Sequence, residues 1–292
     1  MAQGARFLER QQRDDGSLRG FCLYPGASSC WLTAHVCFVV ESVPLLDRFA
    51  ARGARYLSSH GADDGGWGYN RHVAVDCDST AQALMVLQRF ALPTPEFLCE
   101  RLAAAQTACG GYPTYVPLRA EAPRDAWQTA HVDVSAMVLE CLRRSGAHAP
   151  RVARGEAWLE AHSSDGVLTS YWWNDDAYGL WLQARTGGLS GQARSALRAV
   201  LTSPLGCPQW AMAVSAALAM EGLEDELRTA TRRLLAAQLA DGSWPCAPCL
   251  RVTSPHYRGP LRSAPGAVVA DRRRVFATAH AVAALHALRA RF

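Results

Sequence analysis

The chain is 292 residues long, 49% apolar and 19% charged, with a formal net charge of +4. That apolar share excludes disorder, and the length suits one large domain or two small ones around a sizeable core. All thirty basic residues are Arg, which excludes Schiff-base chemistry on a lysine; they are interleaved with acids, so no basic stripe points to nucleic acid.

In chain order, an amphipathic helix is predicted over 2–12, ending in the turn QRDDGSLRGF, followed by an apolar helix over 30–42. The pattern then repeats. Amphipathic segments at 45–60, 94–106, 151–162, 190–203 and 223–239 alternate with apolar ones at 79–91, 127–143, 174–185, 208–221 and 275–290. The amphipathic set carries apolar residues at successive spacings of three and four (Leu227, Ala230, Leu234) with Arg228, Arg232 and Arg233 on the other face. The apolar set is hydrophobic on nearly all sides, which implies burial. Pro44, Pro93, Pro95, Pro150 and Pro204 fall at the junctions, where helices stop. Six inner and six outer helices in alternation make an all-α, single (α/α)6 barrel. No strand pattern competes, and no linker divides 1–292 into domains. One long connection, 245–274, is rich in Pro, Gly and Arg and reads as a lid-like loop.

The repetition extends to the turns: HGADDGGWGYN, QTACGGYPTY, HSSDGVLTSYWW and QLADGSWP follow the later amphipathic helices. Three apolar helices share a string, Thr33-Ala34-His35-Val36, Thr129-Ala130-His131-Val132 and Thr278-Ala279-His280-Ala281, and Thr80-Ala81-Gln82-Ala83 fits the same frame. On this reading His35, His131 and His280 hold equivalent positions.

In such a barrel the cavity opens where the inner helices begin, because helix N-termini turn their amides toward the mouth. Residues predicted there include Trp31, His35, Asp76, Asp78, Gln82, Trp127, His131, Asp133, Trp173, Tyr178, Trp210, Phe276 and His280. They describe an aromatic-walled pocket with a few carboxylates and imidazoles.

The turns QLADGSWP and HGADDGGWGYN resemble the Gln…Asp-Gly-Ser/Gly-Trp motif of the terpene cyclase and prenyltransferase barrels, which include squalene–hopene cyclases, class II diterpene cyclases and protein prenyltransferase β-subunits. Asp76-Cys77-Asp78-Ser79-Thr80-Ala81 resembles the class II acid motif Asp-x-Asp-Asp-Thr-Ala. The resemblance implies that Asp78, at the middle Asp, protonates an alkene or epoxide of an isoprenoid-derived substrate. An alkene is a very weak base, so such an acid must be poorly solvated and held protonated. Asp76 would share or accept its hydrogen, aromatic faces would steady the carbocations, and His131 or Asp133 would serve as terminating base. Ser79 departs from the motif's fourth Asp. The family usually builds its cavity between two barrels. A single barrel therefore leaves its mouth to the 245–274 loop, a partner protein, a second copy or a membrane surface.

No metal is expected. The prenyltransferase zinc ligands are not matched, since Leu205 and Ala277 stand where an Asp and a His would be, and Cys246-Ala-Pro-Cys249 has no second pair. Magnesium would assist only a substrate carrying a diphosphate, which Arg274 and its neighbours in the loop would then grip. Cys37, Cys99 and Cys141, inside apolar helical runs, read as small buried hydrophobes. The N-terminus MAQGARFLERQQRDD is charged where a secretion signal is apolar, so a cytoplasmic, bacterial natural-product enzyme is the expectation. Besides a diverged enzyme that uses the same acid on a non-terpenoid natural product, two rival readings of other classes stay open. One is a carbohydrate-active (α/α)6 enzyme pairing Asp78 with Asp133 or Asp175. The other is a non-catalytic barrel binding a lipid or a partner.

Overall fold

A computed structural model of the chain describes residues 1–62, 65–116, 125–253 and 268–291. The outer helices are α1 (Ala2–Gln11), α3 (Asp47–Ser59), α5 (Phe97–Ala104), α7 (Ala149–Ala161), α9 (Ala193–Thr202) and α11 (Glu224–Ala236). Between them run the inner helices α2 (Cys30–Val39), α4 (Cys77–Arg89), α6 (Val132–Ser145), α8 (Ala177–Thr186), α10 (Cys207–Ala217) and α12 (Val275–Arg291). Each inner helix packs on the next, and α12 returns to α2, which closes the ring. All ten residues of α2 are buried, whereas α11 buries only Leu227, Ala230 and Leu234. The all-around apolar sequence of one set and the single stripe of the other therefore sort the helices into two layers.

The repeated turns fasten the layers together. Gln12 Nε2 donates to the carbonyls of Gly16 (2.9 Å) and Phe49 (3.0 Å); Gln106 does the same to Gly110 (2.9 Å) and Arg151 (2.8 Å). The turn indoles reach back to the preceding outer helix, Trp67 to the Leu57 carbonyl (3.0 Å) and Trp244 to that of Leu234 (2.6 Å). Gly242 takes φ +90°, and a Cβ there would collide with the Gln3 carbonyl, so this turn lies directly on α1.

At four of the turns a hydroxyl on the following inner helix accepts a backbone N–H, whereas before α8 the Leu168 N–H goes to the Gln183 amide oxygen (3.2 Å). Thr33 takes Leu18 (2.8 Å), Thr80 takes Trp67 (3.1 Å), Ser135 takes Tyr112 (2.7 Å) and Thr278 takes Trp244 (3.2 Å). The slot in α6 thus belongs to Ser135, not Thr129, and the string around His131 is out of register with the others. The reason is local. Asp125 caps a 3-10 turn at Ala126–Gln128 and Thr129 is extended, so α6 starts at Val132 instead of 127. Among the described residues three short antiparallel strand pairs, which the sequence pattern did not announce, also occur: β1 (Gly20–Leu23) with β2 (Gly26–Ser28), β3 (Ser163–Ser164) with β4 (Val167–Leu168), and β5 (Leu250–Arg251) with β6 (Val268–Val269). Among the described residues no helix is long and apolar enough to cross a membrane.

Candidate active site

The register fixed by Thr33, Thr80, Ser135 and Thr278 stacks two layers of side chains inside the ring. Two residues before each slot stand Trp31, Asp78, Asp133 and Phe276; two residues after it stand His35, Gln82, Met137 and His280. Members of a pair are four apart, hence on one face of their helix and one turn deeper.

A cavity of about 540 Å³ opens at the upper layer on the side of α2, α4, α6 and α8. That volume suits a small-molecule ligand. Trp31, Asp78, Asp133 and Tyr178 line it from the inner helices, with Asp76 and Ser79 at the start of α4. The remaining wall comes largely from loops: Leu23, Tyr24 and Pro25 at the first hairpin, Tyr69, His72, Val73, Thr114, Tyr115, Trp127, Trp172, Trp173, and Leu250, Val252 and Thr253. The last stretch is docked by an antiparallel bridge between Trp173 and Leu250 and by the Arg251 N–H donating to the Trp172 carbonyl at 2.7 Å. Residues 254–267 of the expected lid, with His256, Arg258 and Arg262, lie outside the described residues.

Asp78 borders the cavity but is otherwise enclosed by protein. Its Oδ2 accepts the Trp31 indole N–H at 2.6 Å and the Gln82 amide N–H at 2.9 Å. Burial pushes its carboxyl well above the usual range, and the charges of Asp76 and Asp133 push it further, against the two hydrogen bonds. An oxygen that accepts two N–H groups is the carbonyl-like one, so the proton of the neutral acid belongs on Oδ1.

Asp76 does not pair with Asp78 as the sequence suggested. It is the N-cap of α4: Oδ1 accepts the Ser79 backbone N–H at 2.6 Å and Oδ2 the Ser79 hydroxyl at 2.8 Å. Ser79, the departure from the acid motif, thus binds Asp76 and not the acid. Burial raises the Asp76 carboxyl to about 7.

Asp133 is anchored at the cavity wall. Its Oδ2 accepts the Ser170 hydroxyl and the Trp172 backbone N–H (2.9 Å), and Oδ1 accepts the Val134 N–H (3.1 Å). His131 is placed differently from the expectation. It lies behind the wall at the N-cap of α6, flat against Tyr171 with ring centroids 3.8 Å apart. Its Nε2 donates to the Ala126 carbonyl (2.9 Å) and its Nδ1 accepts the Thr114 hydroxyl (3.0 Å), so neither nitrogen is left to take a proton from a ligand. Burial lowers its basicity.

Other expected ligand contacts are corrected in the same way. His35, Gln82 and His280 form the buried floor beneath the upper layer, not the wall. Phe276 stacks behind Trp173 (5.0 Å), which stacks on Tyr178 (4.2 Å); with Phe21 these rings fill the half of the barrel near α12, which explains the cavity's offset. Trp210 points away from the cavity: its indole donates to the Ser203 carbonyl at 3.1 Å and Arg233 covers its ring. Arg274 pairs with Asp241 at 2.9 Å and lies over Phe7, away from the cavity. Trp127 does line it, with its indole donating to Thr253 Oγ1 at 2.9 Å. The loop residues missed by sequence reasoning share one signal, a position at the end of a repeated turn string or shortly after it. Among the described residues no three His, Cys, Asp or Glu side chains converge as a metal site requires.

No protein-family model and no curated protein matches this chain. Its fold is that of solved terpene cyclases. A variant of the type II terpene cyclase MstE from Scytonema, in complex with the product merosterolic acid A, superposes with a TM-score of 0.81 at 20% identity, covering 100% of this chain and 96% of that one. Another variant, in complex with the substrate geranylgeranyl dihydroxybenzoate, gives 0.79 at 20% identity, covering 100% and 97%. The ent-copalyl diphosphate synthase from Streptomyces platensis gives 0.62 at 16% identity, over 88% of this chain and 50% of that one. The helical frame also extends to an unsaturated glucuronyl hydrolase specific for heparin, at 0.57 and 12% identity over 98% and 95% of the two chains. The likeness read from the turns and the acid motif therefore holds for the fold: this is a class II terpene cyclase-like all-α barrel.

Proposed function

We propose that the protein is an acid-initiated cyclase in which Asp78 protonates an alkene or epoxide of an isoprenoid-derived substrate. The observation that carries this reading is the enclosed Asp78 at the edge of a cavity walled by Trp31, Trp127, Trp172, Trp173 and Tyr178. Oδ1–H adds its proton to the terminal double bond or epoxide oxygen, leaving a carbocation and an Asp78 carboxylate. Neighbouring double bonds attack the cation in turn and close rings. The aromatic faces favour the travelling positive charge and keep water out. Asp133, held by its three donors on the neighbouring helix α6, is the base that removes the final proton, or that orients a water to capture the cation. A proton from solvent then restores Asp78, so no cofactor is consumed.

The neighbour MstE is solved with a prenylated aromatic substrate. That supports an apolar prenyl chain for the cavity here, and it leaves the prenylated aromatics and the polyprenyl diphosphates as the two classes to try. The carbohydrate reading fits less well, because the anchored carboxylate of Asp133 and the indole-rich wall offer a sugar few free hydrogen-bonding groups. The test is incubation of the purified protein with prenylated hydroxybenzoates, prenylated quinols and polyprenyl diphosphates, with products read by mass spectrometry and NMR. Cyclised product is expected with the wild type. Asp78→Asn should lower turnover by about 10²- to 10⁴-fold, the usual worth of a placed general acid. Product formation undiminished in Asp78→Asn sinks the assignment.

A further inference from the structure

We propose that His35 and His280 are positioning residues for the Asp78 acid, fixing the Gln82 side-chain amide so that its N–H, and not its carbonyl, meets Asp78. This rests on Asp78 being the proton donor.

The three side chains form one buried chain beneath Asp78. Gln82 Nε2 reaches Asp78 Oδ2 at 2.9 Å, Gln82 Oε1 lies 2.8 Å from His35 Nδ1, and His35 Nε2 lies 3.0 Å from His280 Nε2. All three are fully enclosed, and among the described residues His280 Nδ1 has no hydrogen-bond partner. Burial holds both rings neutral, with His35 lowered to about 3 and His280 well below its ordinary value, and the Arg185 charge acts in the same direction.

A neutral imidazole carries one N–H. Two neutral rings that meet through Nε2 must therefore share a single hydrogen between those atoms, and only two arrangements exist. In one, His280 Nε2–H donates to His35, His35 keeps its hydrogen on Nδ1 and gives it to Gln82 Oε1, and Gln82 presents N–H to Asp78. The Asp78 hydrogen then stays on Oδ1, free for a ligand. In the other, every bond reverses, and the Gln82 oxygen faces Asp78 and accepts the acid's own hydrogen. The reaction needs the first.

The unpartnered His280 Nδ1 selects it. In the first arrangement that atom is a bare lone pair; in the second it is a buried N–H without an acceptor. A buried N–H without an acceptor is the rarer and costlier defect, and a lone pair also suits the nearby Arg185 charge better. The tautomer at one end of the chain thus decides which atom meets the acid at the other.

The test is infrared spectroscopy of the full-length protein. The carbonyl band of protonated Asp78 is identified as the one lost in Asp78→Asn. His35→Phe keeps an aromatic ring stacked on Trp31 and Phe276 but removes the donor to Gln82. It should shift the Asp78 band and lower kcat about tenfold or more with KM nearly unchanged. His280→Phe, one link further on, should act in the same direction and serves if His35→Phe does not fold. In a Gln82→Leu background the same His substitutions should leave the band unmoved, because their route to Asp78 is gone. A shift of equal size in both backgrounds, or no shift in the native one, overturns the proposal. If the band behaves as expected while no isoprenoid is turned over, the positioning chain stands and the proposed reaction falls.

Discussion

The indole of Trp31, on α2, donates its N–H to Oδ2 of Asp78, on α4, across 2.6 Å. Two neighbouring inner helices are thereby joined at the acid itself, and the same oxygen also receives Gln82 from one turn below. The acid is held in orientation by donors that favour its charged form, while enclosure and the charges of Asp76 and Asp133 oppose that form more strongly.

Asp78 should therefore cost stability where it is forced to ionise. Its folded-state carboxyl lies above the unfolded value, so the native state holds the proton more tightly. Native stability is then lost as pH rises from about 4, where the unfolded group ionises, through the folded-state range. Asp78→Asn removes that loss. Its melting temperature should match the wild type near the acid end and exceed it increasingly toward alkaline pH, as followed by thermal scans across a pH series. A difference that shrinks with rising pH contradicts the buried acid.

Asp76 separates into two functions by substitution. Asp76→Ala removes the α4 cap and should cost about 1–2 kcal/mol in urea unfolding. Asp76→Asn keeps an oxygen for the Ser79 N–H but removes the charge that raises Asp78. The alkaline limb of the kcat/KM profile should then move to lower pH, because Asp78 gives up its proton more readily. An unmoved limb shows that the two carboxyls are not electrostatically linked.

His131 and Asp133 should part company in kinetics. His131→Phe preserves the stack on Tyr171 but strands the Thr114 hydroxyl and the Ala126 carbonyl, a loss of about 1–3 kcal/mol in stability. Below its melting temperature it should retain most turnover. Asp133→Asn should lower kcat by about 10²-fold or more, or divert the product, if this carboxylate ends the reaction. The reverse ranking, read by product analysis, would reassign the base.

The turn glycines make a purely structural prediction. Gly242→Ala must both hold φ near +90° and push a methyl group into the Gln3 carbonyl, so it should cost about 2 kcal/mol or more. Gly146 also has positive φ, +69°, but among the described residues a Cβ there meets nothing within 4 Å. Gly146→Ala should cost only about 1 kcal/mol, the backbone penalty alone. Equal losses in denaturant titrations would mean that the turn does not bear on α1.

The amino-acid sequence by itself determined the alternation of two helix kinds, the turns that join them and an acid near the start of the second inner helix. Each of these is local: a 3.6-residue period, a glycine where the chain must turn, a carboxylate at a helix start. What the tertiary structure decided is which side chains share a space. His131 differs from His35 because one 3-10 turn delays α6 and moves the register to Ser135. Trp210 and Arg274 face away from the cavity although they stand near helix starts like Trp31. The cavity's remaining wall comes largely from loops at or shortly after the repeated turns, whose approach to one another depends on all twelve described helices closing the ring. Periodicity fixes a residue's face on its own helix, but only the packing of helix against helix fixes what that face meets.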